Sequence, residues 1–261
     1  MTFVGIIPAR YASSRFPGKP LADLCGKPVI QHVYQQAAQV LDIVFVATDD
    51  ARIYDCVQSF GGQVVMTSDS HTCGTDRVYE AYQTLRSAQI ITSDPSDTVV
   101  INIQGDEPFI QPQQIRALMQ CFPTDIATLV HPFTTSNTLD ELRSPNLVKV
   151  AIAHATDPQA KHLGRALYFS RSVIPHLRGV DPQHWLQHSC FYRHIGMYAY
   201  RADVLARITQ LPVSALEQLE CLEQLRWLEH GLTIQVALTH HASIGIDTPE
   251  DLQMAIQYIQ Q

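Results

Sequence analysis

The amino-acid sequence predicts an α/β fold built on a mostly parallel sheet that helices cover on both faces. In the first half of the chain, short runs of β-branched residues alternate with segments of helical length, which is typical of right-handed β-α-β units. The runs are apolar almost without a break, as expected for strands buried on both faces. After residue 133 the helices between strands become fewer, which predicts a change to antiparallel pairing.

The predicted elements of the first half follow one another in a regular order. The strands are the runs at 3–7, 43–48, 64–68 and 98–104. The helices between and after them cover about 28–40, 50–60, 75–88 and 112–121. Strands separated by helices of this length favour crossover connections between parallel neighbours.

Three further strands are predicted in the second half, after an apolar run at 127–133. They are the segments 148–155, 165–172 and 193–201. With few helices between them, they form either antiparallel additions to the sheet or an excursion that packs against a partner subunit.

The C-terminal part is predicted to be largely helical. Residues 215–231 form one amphipathic helix that ends at Gly231, with a face of acids that is expected to be solvated. Its apolar stripe is Leu216, Leu219, Leu222, Leu225 and Leu228, and its acids are Glu217, Glu220 and Glu223. After a strand near 233–239, the last helix begins with Asp247 or Thr248 as N-cap and Pro249 at its first position.

Length, composition and charge exclude several classes of protein. The 261 residues suffice for one large α/β domain or two small ones, and 46% hydrophobic with 16% charged residues is an ordinary globular composition. A net charge of −7 argues against a protein that coats nucleic acid. The apolar runs are too short to span a bilayer, and the N-terminal one ends too early for a signal peptide. Six cysteines without a CxxC pair predict free thiols in a reducing cytoplasm.

The stretch IIPARYASSRFPGKPL at 6–21 places three cations on a loop that leaves the first strand. It lacks the glycine spacing and the Ser/Thr of a Walker A motif. Arg10, Arg15 and Lys19 differ in reach, and together with main-chain N–H groups they could wrap a polyphosphate. Those N–H groups belong to Ala12, Ser13 and Ser14. The alternative is a surface loop whose cations are only solvated, but the regular placement at a strand exit favours phosphate binding.

Two carboxylates at predicted strand ends are candidate magnesium ligands. Asp106 and Glu107 follow an apolar strand and precede Pro108, which makes their turn stiff. Mg²⁺ takes one or two protein carboxylates and completes its octahedron with phosphate and water. The alternative for Asp106 is a turn in which it caps the next helix. Asp247 is a second strand-end acid, and its alternative is the N-cap of the last helix.

The segment HTCGTDR at 71–77 reads as a loop that enters a helix. Gly74, Thr75 and Asp76 offer polar groups at the helix N-terminus. Main-chain and hydroxyl groups in such a place could recognise a nucleotide base, although the pattern is not specific to one ligand.

Motifs spread over the chain resemble those of a known family. The loop IPARYASSRFPGKPL resembles the signature loop of the sugar-acid cytidylyltransferases. It is followed, in order up to residue 252, by HTCGTDR, NIQGDEPFI, PNLVKV, YFSRSVIP, RHIGMYAYR, LEQLRWLEHG and GIDTPEDL. On this set the chain is similar to the CMP-KDO synthetase (3-deoxy-manno-octulosonate cytidylyltransferase) family, whereas the loop alone is shared by nucleotidyltransferases more widely.

The resemblance implies a fold, a reaction and partners. The fold is a Rossmann-like nucleotidyltransferase fold in a single domain, 1–261, whose antiparallel excursion, roughly within 150–215, serves homodimerisation. The reaction joins CTP and KDO to give CMP-KDO and pyrophosphate with Mg²⁺, in the cytoplasm, for lipopolysaccharide biosynthesis. Neither nucleic acid nor a membrane is expected as a partner. The alternatives are the same chemistry on 8-amino-KDO or a sialic-acid-like sugar, and a non-catalytic nucleotide-binding relative.

The resemblance also implies roles for the residues of the nucleotide and metal sites. Arg10, Arg15 and Lys19 would bind the triphosphate, and Gly74, Thr75 and Arg77 would bind the rest of the nucleotide. Asp106 and Asp247 would hold Mg²⁺, and the catalytic residues would be Arg10, Lys19 and Asp106. The chain departs from the family at Cys73, where Ser is usual, and a thiol is a weaker hydrogen-bond donor than a hydroxyl.

A second set of residues would contact KDO. They are Gln104, Arg171, His194, Tyr198, Glu223 and Gln224. Arg171 is the natural partner of the sugar carboxylate, because a guanidinium can bind a carboxylate with two parallel hydrogen bonds. Glu217 and Glu220 remain alternatives to Glu223, since acids recur every three residues there.

Overall fold

The computed structural model describes residues 1–13, 15–71, 73–157, 162–188, 190–241 and 245–260. By its internal contacts the chain divides into two units. Unit 1 comprises residues 1–116, 199–209 and 243–261, and unit 2 comprises residues 117–198 and 210–242. In the described ranges, no helix combines the length and the apolarity that crossing a bilayer requires. All six cysteines lie in these ranges as free thiols, as the sequence predicts.

Unit 1 is built on parallel strands that alternate with helices. The strands are β1 (Thr2–Ala9), β4 (Ile43–Thr48), β5 (Val64–Met66) and β6 (Thr98–Asn102), paired in the order β5-β4-β1-β6. The helices are α1 (Val29–Ala37), α2 (Ala51–Ser59), α3 (Gly74–Ser87), α6 (Ala202–Ile208) and α9 (Pro249–Ile259). A short hairpin of β2 (Asp23–Leu24) and β3 (Lys27–Pro28) precedes α1. The predicted alternation of strands and helices is confirmed.

The central strands of unit 1 are apolar because both of their faces are covered. Consecutive residues of a strand point to opposite faces of the sheet. Along β6, Val99, Val100 and Ile101 are all fully buried, and in β1 the neighbours Ile6 and Ile7 are fully buried as well. The unbroken apolar runs in the sequence therefore predict the parallel sheet correctly.

Unit 2 holds a mixed sheet. Its strands are β7 (Ile126–Pro132), β8 (Lys149–His154), β9 (Gly164–Ser170), β10 (Tyr192–Arg201) and β11 (Ile234–Leu238), and the last residues of β10 belong to unit 1. β11 is parallel to β7 and antiparallel to β9, while β8 is antiparallel to both β9 and β10. The helices are α5 (Leu139–Arg143), α7 (Ala215–Glu220) and α8 (Gln224–Glu229), and α4 (Pro112–Met119) runs from unit 1 into unit 2. The predicted antiparallel strands are confirmed, and their use in dimerisation stays a prediction.

The prediction of one continuous helix over 215–231 is wrong. The chain forms the two short helices α7 and α8, because Cys221 adopts a left-handed conformation with φ +52° that ends α7. The break also divides the predicted apolar stripe: Leu225 is fully buried, whereas Leu219 is 81% exposed. Leucines three residues apart indicate a common face only while the helix continues.

The prediction of a solvated acidic face on this segment is also wrong. Glu217 accepts hydrogen bonds from the Nε and Nη2 atoms of Arg226 at 2.9 and 2.7 Å. Glu220 accepts hydrogen bonds from the Ser170 hydroxyl at 2.7 Å and from the Arg171 main-chain N–H at 2.9 Å. These acids are therefore partners of cations and of strand β9.

Candidate active site

A pocket of about 340 Å³ lies in unit 1 at the carboxyl ends of β1 and β6. This is where open parallel sheets bind their ligands. The pocket brings together segments that are distant in sequence: the loop after β1, the start of α3, the turn after β6, and the residue before the cap of α9. The predicted site residues that line it are Arg10, Arg15, Lys19, Gly74, Arg77, Gln104, Asp106 and Asp247.

The loop after β1 is held closed by main-chain contacts. The Gly18 N–H donates to the Tyr11 carbonyl at 2.9 Å, and Gly18 has φ +71°, which a side chain would strain. The guanidinium carbon of Arg52, in α2, lies 3.3 Å from the centroid of the Tyr11 ring, so the loop is also anchored to a helix. Of the predicted N–H donors, Ser14 lies outside the described residues.

Lys19 is the centre of the charge arrangement in the pocket. Its ammonium donates to Asp106 Oδ2 at 2.6 Å and to Asp247 Oδ1 at 3.1 Å. Only 13% of the Lys19 side chain is exposed, so these contacts are formed where water screens them poorly. Arg15 Nη2 lies 3.0 Å from Asp247 Oδ2, but both side chains are largely exposed and this pair stabilises little.

Two main-chain features bring Asp106 and Asp247 together. The Ile246 N–H donates to the Asp106 carbonyl at 2.9 Å, which ties the turn after β6 to the segment before α9. At Gly105 an added Cβ would lie 2.8 Å from the Pro8 carbonyl oxygen, so the turn approaches β1 more closely than a side chain permits. The two carboxylates thereby converge on one cation.

Thr248, and not Asp247, is the N-cap of α9. Its hydroxyl accepts a hydrogen bond from the Asp251 N–H, and the Asp251 carboxylate accepts from the Thr248 N–H, which is a capping box. Asp251 also accepts from the Asp247 N–H at 2.9 Å. The N-cap alternative for Asp247 is therefore excluded, and its carboxylate is available to the pocket.

The start of α3 is fixed by a buried arginine. Arg77 is 3% exposed, and its guanidinium donates to Thr67 Oγ1 and to Asp49 Oδ2, both at 2.6 Å, and to the Ser68 carbonyl. Thr75, in the first turn of α3, is buried as well. Arg77 thus holds the segment before α3, and it lines the pocket while doing so.

His71 and Glu80 form a second contact beside this segment. The His71 ring is hydrogen-bonded to the Glu80 carboxylate, which also accepts from the Ser68 N–H. Burial raises the pKa of Glu80, but the hydrogen bonds from Ser68 and His71 outweigh it and leave the pKa below its ordinary value. Sequence reasoning gave no role to Asp49 or Glu80: Asp49 directly follows the end of β4, but nothing in the sequence pairs it with Arg77, and Glu80 lies within α3.

The donor set in this pocket fits a magnesium ion that is bound partly by carboxylates and partly by phosphate. In the part of the chain that the structure describes, no group of three or more His, Cys, Asp and Glu residues converges as a metal site. The pocket instead offers two carboxylates, Asp106 and Asp247, that both contact the Lys19 ammonium. Mg²⁺ usually takes one or two carboxylates beside substrate phosphates and water.

Unit 2 contains the other predicted residues, of which Arg171 is the most constrained. Its guanidinium donates to the Glu220 carbonyl at 2.6 Å, the Pro145 carbonyl at 2.9 Å and the Cys221 carbonyl at 3.3 Å. A guanidinium has five N–H donors, and among the described residues these bonds occupy three of them. The main-chain carbonyls of two segments, at Pro145 and at 220–221, thus fix the orientation of the Arg171 side chain.

His194, Tyr198 and Trp227 form an aromatic row in unit 2. The ring centroids of His194 and Tyr198 are 5.2 Å apart, and those of Tyr198 and Trp227 are 5.1 Å apart. A ring nitrogen of His194 is hydrogen-bonded to the Thr128 hydroxyl at 2.9 Å. Desolvation of the partly buried His194 ring lowers its pKa to about 3, so the ring is neutral at physiological pH.

The acids near this row have different partners. Glu223 lies 3.8 Å from the Arg226 guanidinium, and the neighbouring Gln224 is buried. Glu220, which sequence reasoning weighed only as an alternative to Glu223, contacts Arg171 directly. Gln104, the remaining predicted sugar contact, lines the pocket of unit 1.

Comparisons with known proteins agree with one another. A family model described as Cytidylyltransferase matches residues 4–234. The chain is 54% identical to a 3-deoxy-manno-octulosonate cytidylyltransferase of Parabacteroides distasonis, over 99% of this chain and 98% of that relative. It is 53% identical to a protein of the same name from Phocaeicola vulgatus, over 100% of this chain and 98% of the relative.

Solved structures extend the comparison. The chain is similar to CMP:2-keto-3-deoxy-manno-octonic acid synthetase complexed with CTP, with a TM-score of 0.83 and 40% identity, covering 100% of this chain and 99% of the other. It also resembles 4-diphosphocytidyl-2C-methyl-D-erythritol synthase from Anaerococcus prevotii, with a TM-score of 0.58 over 100% and 99% of the two chains. At 14% identity, the second likeness concerns the fold alone.

Proposed function

The chain belongs to the 3-deoxy-manno-octulosonate cytidylyltransferase family, and on this premise we propose how its residues perform the reaction. The protein activates KDO with CTP, giving CMP-KDO and pyrophosphate. The resemblance predicted from the motifs and the Rossmann-like α/β fold are confirmed. The observation that carries the assignment of the site is the pocket at the carboxyl ends of β1 and β6, in which Lys19 joins two carboxylates.

The chemical step is an in-line displacement at the α-phosphorus of CTP. The anomeric hydroxyl oxygen of KDO forms a bond to phosphorus, the bond to the pyrophosphate oxygen breaks, and the hydroxyl proton passes to solvent. Such a step depends on positioning and charge neutralisation more than on covalent chemistry. Arg10, Arg15 and Lys19 bind the triphosphate and neutralise the charge that develops on the leaving pyrophosphate.

Asp106 and Asp247 are the residues that would hold Mg²⁺. A bound magnesium ion supplies Lewis acidity to phosphate oxygens and lowers the pKa of a hydroxyl group that it binds. Asp106 and Asp247 hold the Lys19 ammonium in the pocket. If the two carboxylates held a divalent cation, the ammonium would be available to a phosphate oxygen.

The start of α3 is assigned to the nucleoside. Gly74 lines the pocket, and Thr75 lies in the first turn of α3, where helix N–H groups point outward. Arg77 supports these residues through its bonds to Asp49 and Thr67, so its contribution to nucleotide binding is to hold the loop.

The residues of unit 2 are assigned to KDO. Among the described residues, the bonds to main-chain carbonyls leave Arg171 two N–H donors, which match the two oxygens of a carboxylate, the group that distinguishes a sugar acid from a neutral sugar. His194 is neutral and hydrogen-bonded to Thr128, so it serves as a contact and not as a general base. Tyr198, Glu223 and Gln224 complete the proposed set.

We further propose a homodimer, on the support of the antiparallel strands of unit 2, with β8 and β9 at their centre. Sedimentation equilibrium of the purified protein tests it, and a mass of 29.2 kDa at micromolar concentration would contradict it. A cytoplasmic location and a role in lipopolysaccharide biosynthesis stay predictions.

The proposed function is tested by pyrophosphate release from CTP in the presence of Mg²⁺. KDO, 8-amino-KDO, N-acetylneuraminate and no acceptor are compared at equal concentration. Release that requires KDO is the expected result. Release with another of the sugars would keep the nucleotide site and overturn the assigned KDO contacts, and no release from folded protein would favour a binding protein.

A further inference from the structure

We infer that Lys149 and Glu220 act together to position Arg171 for the sugar acid. Lys149 is not a predicted contact of either substrate, and Glu220 was considered only as an alternative to Glu223; both lie in unit 2 with Arg171. The inference rests on the proposed function, because it takes Arg171 as the residue that binds the carboxylate of KDO.

Lys149 is a lysine with no exposed surface, at the first position of β8. Its ammonium donates to the Arg171 carbonyl at 2.6 Å and to the Ser144 carbonyl at 2.8 Å. Burial lowers the pKa of Lys149, while the nearby Glu220 carboxylate acts in the opposite direction. A lysine is retained in such a place only where specific partners satisfy it.

Glu220 holds the same residue from the other side. Its carboxylate accepts from the Arg171 main-chain N–H at 2.9 Å and from the Ser170 hydroxyl at 2.7 Å. Its own carbonyl accepts from Arg171 Nε at 2.6 Å. Lys149 therefore fixes the C=O of Arg171, and Glu220 fixes both the N–H and the side-chain Nε.

The position of Lys149 in the sheet links it to the other proposed sugar contacts. In β8 it pairs with Ser170 of β9 on one side and with Arg193 of β10 on the other. The His194 N–H donates to the Val148 carbonyl at 2.8 Å. The strand that carries Lys149 thus lies between the strand that leads to Arg171 and the strand that carries His194.

Lys149 acts through Arg171 and does not itself meet the ligand. Its side chain is fully buried, and two of its three N–H donors are occupied by main-chain carbonyls. Its removal would leave the Arg171 and Ser144 carbonyls without the ammonium that they accept from, so the turn that carries Arg171 would change conformation. A residue with this role affects binding of the sugar acid and leaves CTP binding unchanged.

The kinetic test compares Lys149→Met, which keeps the volume and removes the charge, with the wild type. We expect the KM for KDO to rise at least tenfold and the KM for CTP to change less than twofold. Leu118→Ala, at a fully buried position of α4 in the same unit, is the control for a general loss of stability. Equal changes in both KM values, or a KM ratio that Leu118→Ala also changes, would overturn the inference.

Glu220→Gln gives a second variant should Lys149→Met fold poorly. The amide keeps the shape of the carboxylate and removes its charge, so we expect the KM for KDO alone to rise severalfold. An unchanged KM for KDO would count against the pair.

A readout that needs no turnover separates this inference from the proposed function. The Nε–Hε NMR signal of Arg171, assigned with Arg171→Lys, reports the bond from Nε to the Glu220 carbonyl. We expect the signal to shift or broaden in Lys149→Met and in Glu220→Gln, whereas an unchanged signal in both would overturn the inference. Wild-type protein that releases no pyrophosphate with KDO would instead refute the proposed function, and the NMR result would still decide whether the pair positions Arg171.

Discussion

The pocket of unit 1 and the polar cluster of unit 2, which consists of Lys149, Arg171 and Glu220, hold their charged residues in opposite ways. In unit 1, Lys19 and two carboxylates pair directly with one another, and the Asp247 side chain is 47% exposed. In unit 2, Lys149 is fully buried, and the cations Lys149 and Arg171 donate mainly to main-chain carbonyls. The first arrangement can exchange partners when a charged ligand arrives, whereas the second fixes one geometry.

The difference matches the chemistry proposed for each region. A triphosphate brings several negative charges and a metal ion, so its site needs cations that can leave their carboxylate partners. A sugar acid brings one carboxylate among many hydroxyls, so its recognition depends on donors held in place. Buried networks of satisfied polar groups provide that rigidity.

The largest effect is expected from Asp106→Ala. The variant loses a proposed ligand of Mg²⁺ and a partner of Lys19, and we expect kcat to fall by about 1,000-fold or more, equivalent to about 4 kcal/mol of transition-state stabilisation. Because the Asp106 side chain is partly exposed, the fold should persist, which circular dichroism checks. The measurement is pyrophosphate release at ordinary Mg²⁺ concentration.

Asp55→Ala is the matched control, since Asp55 is exposed on α2. It should retain nearly the full rate. Near-normal turnover of Asp106→Ala would refute the metal assignment. It would also show that the contacts of Lys19 with Asp106 and Asp247 serve the structure of the pocket and not catalysis.

The next effect is expected from Arg171→Lys. A lysine keeps the charge but cannot reproduce a planar fork that satisfies three carbonyls and a carboxylate together. We expect the KM for KDO to rise about 10- to 100-fold, since a charged hydrogen bond contributes about 1.5–3 kcal/mol. The KM for CTP should stay within about twofold. Arg178→Lys, at an exposed position, is the control. An equal rise in both KM values would contradict the assignment of CTP to unit 1 and of KDO to unit 2.

The two regions also differ in how much of them the sequence predicts. The residues of unit 1 stand in short motifs at the ends of apolar strands, and the topology of a parallel sheet brings such ends together. Lys19 and Asp106 could therefore be proposed from pattern and charge. For Asp247 the local pattern favours a helix N-cap, only the resemblance implies a metal ligand, and the capping box of Thr248 and Asp251 excludes the N-cap.

The residues of unit 2 carry no comparable signal. Arg171 and His194 were found only through the resemblance, because an isolated cation or imidazole in a strand has many ordinary explanations. Lys149 sits in an apolar run, and Glu220 sits among acids with helical spacing, where the contact of Glu220 with Arg171 lies beside the break at Cys221. A single left-handed residue changed which acid meets Arg171, and no periodicity predicts that.

The burial of His194 predicts a dependence of stability on pH. Its pKa is about 3 in the folded protein against an ordinary 6.5, so the folded state binds its proton less readily than the unfolded state. The contribution of the neutral ring is complete above pH 6.5 and is lost as the pH falls from 6.5 towards 3. In this window the unfolding free energy should decrease by about 1.4 kcal/mol per pH unit from this group.

Denaturant unfolding of the wild type and of His194→Gln between pH 7 and 4.5 measures this contribution as the difference between the two proteins. The glutamine can keep a hydrogen bond to Thr128 and does not titrate. Parallel pH profiles would show that the His194 ring is less closed to water than its burial indicates.

The smallest effect is expected from Cys73→Ser in the pocket of unit 1. Cys73 is the N-cap residue of α3 in an extended conformation, with φ −125°, and its side chain makes no capping hydrogen bond. A serine hydroxyl accepts from the N–H groups of the first turn, so the unfolding free energy should rise by about 1 kcal/mol. Cys56→Ser, within α2, is not at a helix N-cap and should bring no such gain. If Cys73→Ser also lowers the KM for CTP, the hydroxyl acts on the nucleotide itself. If only the stability rises, the helix N-terminus binds the nucleotide through its main chain, and the thiol is tolerated there because the side chain at this position is not needed.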